Sequence, residues 1–199
     1  MIRRRAGALL STALAVAVLS GCVQVGSLSS DLVACKEGDD GAPSNGVVLM
    51  AQSVRSASWV PCLETMPLGW HFSEMDVDKD SARFWLNSDR DGPHAIEVGL
   101  TEACDTEGAT EIPSDREEMR RLERVTQVSP KYVGRRFYVF EGGCITVLFT
   151  LSGENRAEPL AVATQGLGAV PRDALRALVH RESDGRLELD PPPAEDGGS

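Results

Sequence analysis

Five cysteines and three histidines are the residues of this sequence with the widest range of chemistry. They are Cys22, Cys35, Cys62, Cys104 and Cys144, with His71, His94 and His180. Structural zinc sites usually draw their ligands from close pairs such as C-x₂-C. These cysteines are scattered along the chain instead. The sequence therefore predicts neither a metal ligand nor a cofactor-binding residue among them.

Carboxylates at alternate positions mark a second candidate, over residues 76–80. Side chains spaced in this way can converge on one calcium ion, as in the first half of an EF-hand loop. That loop also needs Gly at its sixth position and Glu at its twelfth, where this chain has Ser81 and Asn87. Lys79 further places a cation among the ligands. The pattern favours a solvated hairpin turn over a calcium site.

His71 is the third candidate, because it lies between Trp70 and Phe72 and has the chemistry of a general base. On the polar face of a strand, a half-exposed structural histidine is the favoured interpretation. Trp70 and Trp85 fall on opposite phases of neighbouring predicted strands, which leaves open that one of them lines a groove or a surface patch. Ordinary packing in the core or on a sheet face is the favoured interpretation. The sequence contains no G-x-S-x-G, H-E-x-x-H, Walker or dinucleotide motif. We therefore predict no catalytic residue, and we favour a non-enzyme.

The first 22 residues have the three zones of an export signal. Arg3, Arg4 and Arg5 precede an uncharged apolar run, and small residues lead to Cys22. Residues 19–22, Leu-Ser-Gly-Cys, resemble the lipobox of bacterial lipoprotein precursors. The resemblance implies cleavage before Cys22 and acylation of that cysteine by diacylglycerol and palmitate. An uncleaved signal anchor is the alternative, and it too would place the rest of the chain outside the cell membrane.

Lipid on Cys22 would leave four cysteines for pairing outside the cell, where disulfides persist. Four cysteines allow three pairings, and the sequence alone does not select one. We favour Cys35–Cys62, which would hold the N-terminal arm, and Cys104–Cys144, which would join a strand end to a hairpin. An oxidised set also argues against a catalytic cysteine.

The charge of the chain excludes one class of partner. Without the three arginines of residues 1–21, 17 basic residues face 30 acidic ones, a formal charge of −13. Nucleic-acid binding requires clustered lysine and arginine. We therefore predict no nucleic-acid partner, and contact with the membrane only through lipid on Cys22.

Period-two alternation of apolar residues predicts strands over residues 68–73, 82–87 and 94–100, separated by turn residues. These three would form an antiparallel meander. Residues 135–140 and 145–151 flank Glu141-Gly142-Gly143 and predict a hairpin. Both of its strands are apolar on both faces, which is typical of a central position covered on both sides.

Helices are predicted at two places. Ser114 and Glu117 fit a capping box, although residues 122–128 fit a strand equally well. Pro171 suits the first turn of a second helix, which Gly185 would end. Within it, one apolar stripe is formed by Ala174, Leu175, Leu178 and Val179. Residues 47–54 suit either a helix or a strand, Gly166-Leu167-Gly168 suits a turn, and Leu187 with Leu189 suits a short strand. The predicted fold is α+β: an antiparallel sheet, built from a meander and a hairpin, covered by one or two helices and stapled by disulfides.

Several short segments carry a second resemblance, to an uncharacterised group of actinobacterial exported proteins: residues 60–63, 68–70, 83–86, 138–140 and 142–144. It implies two structural disulfides and brings no activity. We expect residues 1–21 to be a signal peptide, 22–34 a lipidated tether, 35–190 one domain and 191–199 a disordered tail. The expected function is binding an unidentified envelope protein or ligand, or an accessory role at the envelope. An extracytoplasmic hydrolase and a calcium-dependent module are the alternatives.

Overall fold

The alternating segments of the chain pair into one antiparallel sheet in the computed structural model, which describes residues 30–36, 41–152 and 157–193. The expected signal peptide, residues 22–29 of the expected tether, including Cys22, and residues 194–199 lie outside the described residues. Within the part that is described, no helix is long and apolar enough to cross a membrane.

The described residues contain nine strands, which divide between a seven-stranded sheet and a two-stranded ribbon. The strands are β1 (Trp59–Leu63), β2 (Trp70–Asp78), β3 (Ser81–Ser88), β4 (Gly92–Thr101), β5 (Thr110–Ile112), β6 (Arg120–Gln127), β7 (Tyr132–Phe140), β8 (Gly143–Leu151) and β9 (Leu167–Pro171). The order in the large sheet is β2-β3-β4-β8-β7-β6-β5, and β1 pairs with β9. Every pairing is antiparallel.

The meander and the hairpin that the alternation predicts are both confirmed. Strands β2, β3 and β4 are consecutive neighbours, and β7 pairs with β8 around the turn at Glu141-Gly142. The hairpin joins the meander through β8, which pairs with β4 so that Val147 lies opposite Val98. As predicted, β8 is central, with three strands on each side. Its far face is less covered than predicted, because Thr146, Leu148 and Thr150 are only half-buried.

One face of the sheet carries the main core. Phe84, Leu86, Ile96, Val147 and Phe149 are each at most 1% exposed and belong to one continuous apolar cluster. Helix α1, the ribbon β1–β9 and helix α3 contribute buried residues to the same cluster. The segments that cover this face are α1 (Asn45–Ser53), α2 (Ala157–Gln165) and α3 (Arg172–Glu182). The expected α+β fold is therefore confirmed, with three helices where one or two were expected.

Helix α1 occupies residues that fit either a helix or a strand in the sequence. One face of this helix is buried through Val47, Met50 and Ala51. Burial of that face favours a helix over a strand for this segment. The helix also packs closely on the single 3₁₀ turn Ser30–Val33, because a Cβ on Gly46 would overlap the carbonyl of Leu32.

The helix predicted to begin at Ser114 is wrong, and the alternative strand is correct. Residues 120–127 form β6, in which Leu122 lies opposite Phe137 of β7 and is buried. The Ser114 hydroxyl accepts the N–H of Arg116, so the residue makes a tight turn and not a helix cap. Pairing with β7 outweighs the local capping signal, because it buries Leu122 against Phe137 and satisfies the backbone hydrogen-bonding groups of the segment.

The turn predicted at Gly166-Leu167-Gly168 is also wrong. Leu167–Pro171 is strand β9, and its partner β1 lies more than a hundred residues earlier in the chain. The expected strand at Leu187 and Leu189 does not form, although Leu189 is buried. The helix predicted after Pro171 is confirmed as α3, with Pro171 at its N-cap. Gly185, at φ +73°, donates its N–H to the carbonyl of His180 beyond the last turn.

Both favoured disulfide pairings are present. Cys35–Cys62 ties the N-terminal segment to β1, and Cys104–Cys144 ties the segment after β4 to the start of β8. The second bond lies beside a small apolar cluster of Leu122, Phe137 and Cys144 on the far face of the sheet. In the loop-entropy model, each bond stabilises the fold by about 3–4 kcal/mol.

Candidate ligand-binding cleft

A large cleft lies between strand β9, one side of α3 and the segment that carries Cys35. Its volume is about 810 Å³, against about 480 Å³ for a hollow beside Arg172 and about 210 Å³ for one beside Trp70. Ligand pockets generally have volumes of about 300–1,000 Å³ and mostly apolar walls. The cleft is lined by Cys35, Lys36, Gly41, Ala42, Pro43, Glu64, Thr65, Ala169, Val170, Pro171, Ala174, Ala177, Leu178 and Arg181.

The ribbon strand β9 forms one wall. Ala169 and Val170 are half-buried on the apolar core and also line the cleft. The neighbouring Gly168 allows the disulfide to lie against this strand, since a Cβ on Gly168 would overlap the Cys35 sulfur and the Glu64 side chain. Glycine at this position therefore brings the N-terminal segment and β9 together around the cleft.

Helix α3 forms the opposite wall with one face. Ala174, Ala177, Leu178 and Arg181 follow the spacing of successive turns, so they lie along one side of the helix. Leu175 is fully buried in the core on another side. The helix therefore holds the domain together with one face and presents small apolar residues and a cation to the cleft with another.

Three charged residues line the cleft, whose other lining residues are mostly apolar. Lys36 and Arg181 are cations, and Glu64 is the one carboxylate among the described lining residues. None of the three forms an ion pair within the described part of the chain. Cations without a carboxylate partner are available to an anionic group on a ligand.

The structure places His71, the histidine weighed as a general base, on the exposed face of β2. Its Nε2 lies 2.9 Å from Oδ1 of Asp89, and both side chains are more than half exposed. The hydroxyl in the adjacent hollow belongs to Ser88, which donates to Asp91 at 2.9 Å and accepts the backbone N–H of Asp91. Ser88 is thus engaged in a turn and does not share its proton with His71. This arrangement supports hydrolysis less well than the cleft supports binding.

Residues 76–80 form the end of β2 and the turn into β3, which agrees with the predicted hairpin turn. Asp76 pairs with Arg83 across the hairpin at 3.2 Å, and Oδ1 of Asp78 accepts the N–H of Lys79. Among the described residues, no cluster of three or more His, Cys, Asp or Glu is placed to hold a metal ion.

Trp70 and Trp85 lie on opposite faces of the sheet, as their phases in the predicted strands indicate. Trp70 is 6% exposed in the core, whereas Trp85 is half-exposed on the far face and donates to Glu97 at 3.0 Å. Trp85 is flanked by the Arg83 guanidinium, 5.7 Å from the ring centroid, and by the His94 ring at 5.6 Å. These partners pack the indole among side chains of its own sheet.

Sequence reasoning missed the cleft. The one signal that was available is that Ala177 and Arg181 continue the helical spacing of Ala174, which belongs to the predicted apolar stripe of α3. No local signal marks Lys36 or Gly168, because their positions depend on the pairing of β1 with β9. Comparison with known proteins identifies no relative: no family model matches the chain, and no curated protein or solved structure is significantly similar to it.

Proposed function

We propose that this chain is a lipid-anchored extracytoplasmic protein that binds a ligand in the cleft beside α3. The anchor rests on the lipobox-like residues 19–22, which would leave Cys22 acylated at the outer face of the cell membrane. The two disulfides support an oxidising location for the domain. The single observation that carries the binding role is the mostly apolar cleft of about 810 Å³, whose lining holds two cations, Lys36 and Arg181, that form no ion pair within the described residues.

The cleft also lies close to the proposed anchor along the chain. Cys35 lines it, and the eight residues from Cys22 to Ser29 reach at most about 28 Å when fully extended. A protein held in this way would present the cleft near the membrane surface. The mostly apolar walls of the cleft and the cations on its described lining support ligand binding there.

The anchor is tested by the intact mass of the protein extracted from membranes, before and after reduction. We expect the mass to lack residues 1–21, to include a diacylglycerol and a further acyl chain, and to rise by two hydrogens per disulfide on reduction. An unprocessed chain with free thiols in the cytosol would overturn the proposal.

The binding role is tested by a photo-crosslinking amino acid placed in the full chain in living cells. We expect an adduct with the crosslinker at position 177, which lines the cleft, and none at position 161. Ala161 is an equally exposed helical alanine of α2 that lines none of the three hollows compared above. Equal yields at the two positions, or none at position 177, would contradict binding in the cleft.

A further inference from the structure

The walls of the cleft favour a ligand with an apolar body. Ala42, Ala169, Val170, Ala174 and Leu178 line it from three separate segments of the chain. None of these side chains has a hydrogen-bonding group, and Thr65 is the one uncharged side chain with a hydroxyl on the described lining. The larger part of a bound molecule would therefore contact apolar side chains. An extended hydrocarbon suits these walls better than a sugar or a nucleotide, which needs polar partners along most of its length.

The charges on the lining favour an anionic group at one end of that ligand. Lys36 and Arg181 outnumber Glu64, so the described lining is net positive on a chain whose formal charge without residues 1–21 is −13. Acidic residues outnumber basic ones almost two to one over that chain, so the excess of cations on the described lining of this cleft is a local departure. Both cations lack a carboxylate partner within the described residues, which leaves their donors available.

From the apolar walls and the unpaired cations, we infer that the cleft binds an anionic amphiphile. Its acyl chain lies against β9 and α3, and its carboxylate or phosphate accepts hydrogen bonds from Lys36 and Arg181. This inference rests on the proposed function, because a cleft held near a bilayer has amphiphiles within its reach. It goes further by naming the chemistry of the ligand.

The test is native mass spectrometry of the full chain, purified from membranes in dodecyl maltoside. Three probes of equal chain length are added in turn: palmitate, palmitoyl lysophosphatidate and uncharged palmitamide. We expect one anionic probe to be retained per chain, about tenfold more than palmitamide at equal concentration. Preference for palmitate or for lysophosphatidate identifies the headgroup.

Four variants assign the binding to the cleft. Ala174→Trp should abolish retention of the anionic probe, whereas Ala161→Trp, on the exposed face of α2, should not. Lys36→Gln combined with Arg181→Gln should reduce the preference over palmitamide to about onefold. Lys79→Gln, in the exposed β2–β3 turn, should keep the preference.

Two results would overturn the inference. One is equal retention of palmitate, lysophosphatidate and palmitamide, or retention of none. The other is retention that Ala174→Trp leaves unchanged while its thermal unfolding shows a folded protein. If Cys22 is acylated and position 177 forms an adduct in cells under either result, the inference fails and the proposed function stands.

Discussion

Gly168 lies against Cys35 so closely that a Cβ on the glycine would overlap the disulfide sulfur. The two residues are far apart in sequence, and their contact brings the N-terminal segment onto the ribbon β1–β9. This contact joins the part of the chain nearest the proposed anchor to the wall of the proposed binding cleft.

Gly168→Ala should destabilise the fold, because neither the disulfide nor the backbone of β9 can move away cheaply. We expect the free energy of unfolding to fall by about 1–3 kcal/mol, measured by thermal or denaturant unfolding. The matched control is Gly99→Ala in β4, where the nearest atoms to an added Cβ are 3.9 and 4.0 Å away. An equal loss of stability in both variants would contradict this explanation.

Arg172→Met should strongly destabilise the fold, because Arg172 is a buried cation next to the apolar core. The guanidinium is 3% exposed and donates to the carbonyls of Ala51, Val54 and Asp190, joining the end of α1 to the C-terminal segment. Burial lowers the pKa of Arg172, so the folded state holds this cation at a cost that the three carbonyls offset. We expect a loss of about 2–5 kcal/mol in the free energy of unfolding.

Arg176→Met is the control for that change, because Arg176 lies in the same helix and, like Arg172, is close to Asp173. Arg176 pairs with Asp173 at 3.1 Å, and both side chains are solvent-exposed. Surface pairs of this kind contribute about 0–1 kcal/mol. If Arg172→Met were no more damaging than Arg176→Met, the buried contacts of Arg172 would not hold α1.

Acid should weaken the segment that contains β5, and Asp105 and Glu111 should account for part of the loss. The backbone N–H of Glu107 and the Arg124 guanidinium lower the pKa of Asp105, and hydrogen bonds from Arg120 lower the pKa of Glu111. Because both pKa values lie below those of the unfolded chain, the stabilisation is complete above about pH 5 and is lost as the pH falls through the folded values.

The measurement is the unfolding temperature between about pH 6 and pH 2 for the parent and for Asp105→Asn with Glu111→Gln. We expect a shallower acid decline in the double variant, with a lower stability than the parent above about pH 5. Glu182→Gln, which removes a carboxylate that forms no ion pair in the described residues, should decline like the parent. Parallel curves for parent and double variant would contradict this prediction.

The two disulfides should differ in their effect on binding. Replacing Cys35 and Cys62 by Ala should reduce retention of an anionic amphiphile, since this bond holds the segment that lines the cleft. Replacing Cys104 and Cys144 should cost a similar ~3–4 kcal/mol in stability but leave binding intact, since that bond lies on the far face of the sheet. Binding lost equally in both variants, under conditions where both are folded, would contradict the assignment.

His71→Ala should change little. The His71–Asp89 pair is solvent-exposed, so we expect the free energy of unfolding to change by less than about 1 kcal/mol. The purified protein and the variant should also hydrolyse a p-nitrophenyl ester at the same background rate. A loss of ester hydrolysis specific to His71→Ala would revive the hydrolase alternative.

Local patterns predicted the parts of this fold that local physics determines. Alternation of apolar residues placed β2, β3, β4, β7 and β8, since side chains of a strand point to opposite faces whatever its partner is. The helix after Pro171 followed from its apolar stripe and its N-terminal proline. Cys22 and the lipobox-like residues before it stay a prediction about export.

Tertiary structure alone decided the rest, because the deciding contacts join residues far apart in the chain. Leu122 is in a strand since Phe137 lies opposite it, and Leu167–Pro171 is a strand since β1 pairs with it. The cleft assembles Lys36, Val170 and Arg181 from three segments. A pattern within ten residues reports which faces are apolar, whereas the identity of the partner that covers each face depends on packing of the whole domain.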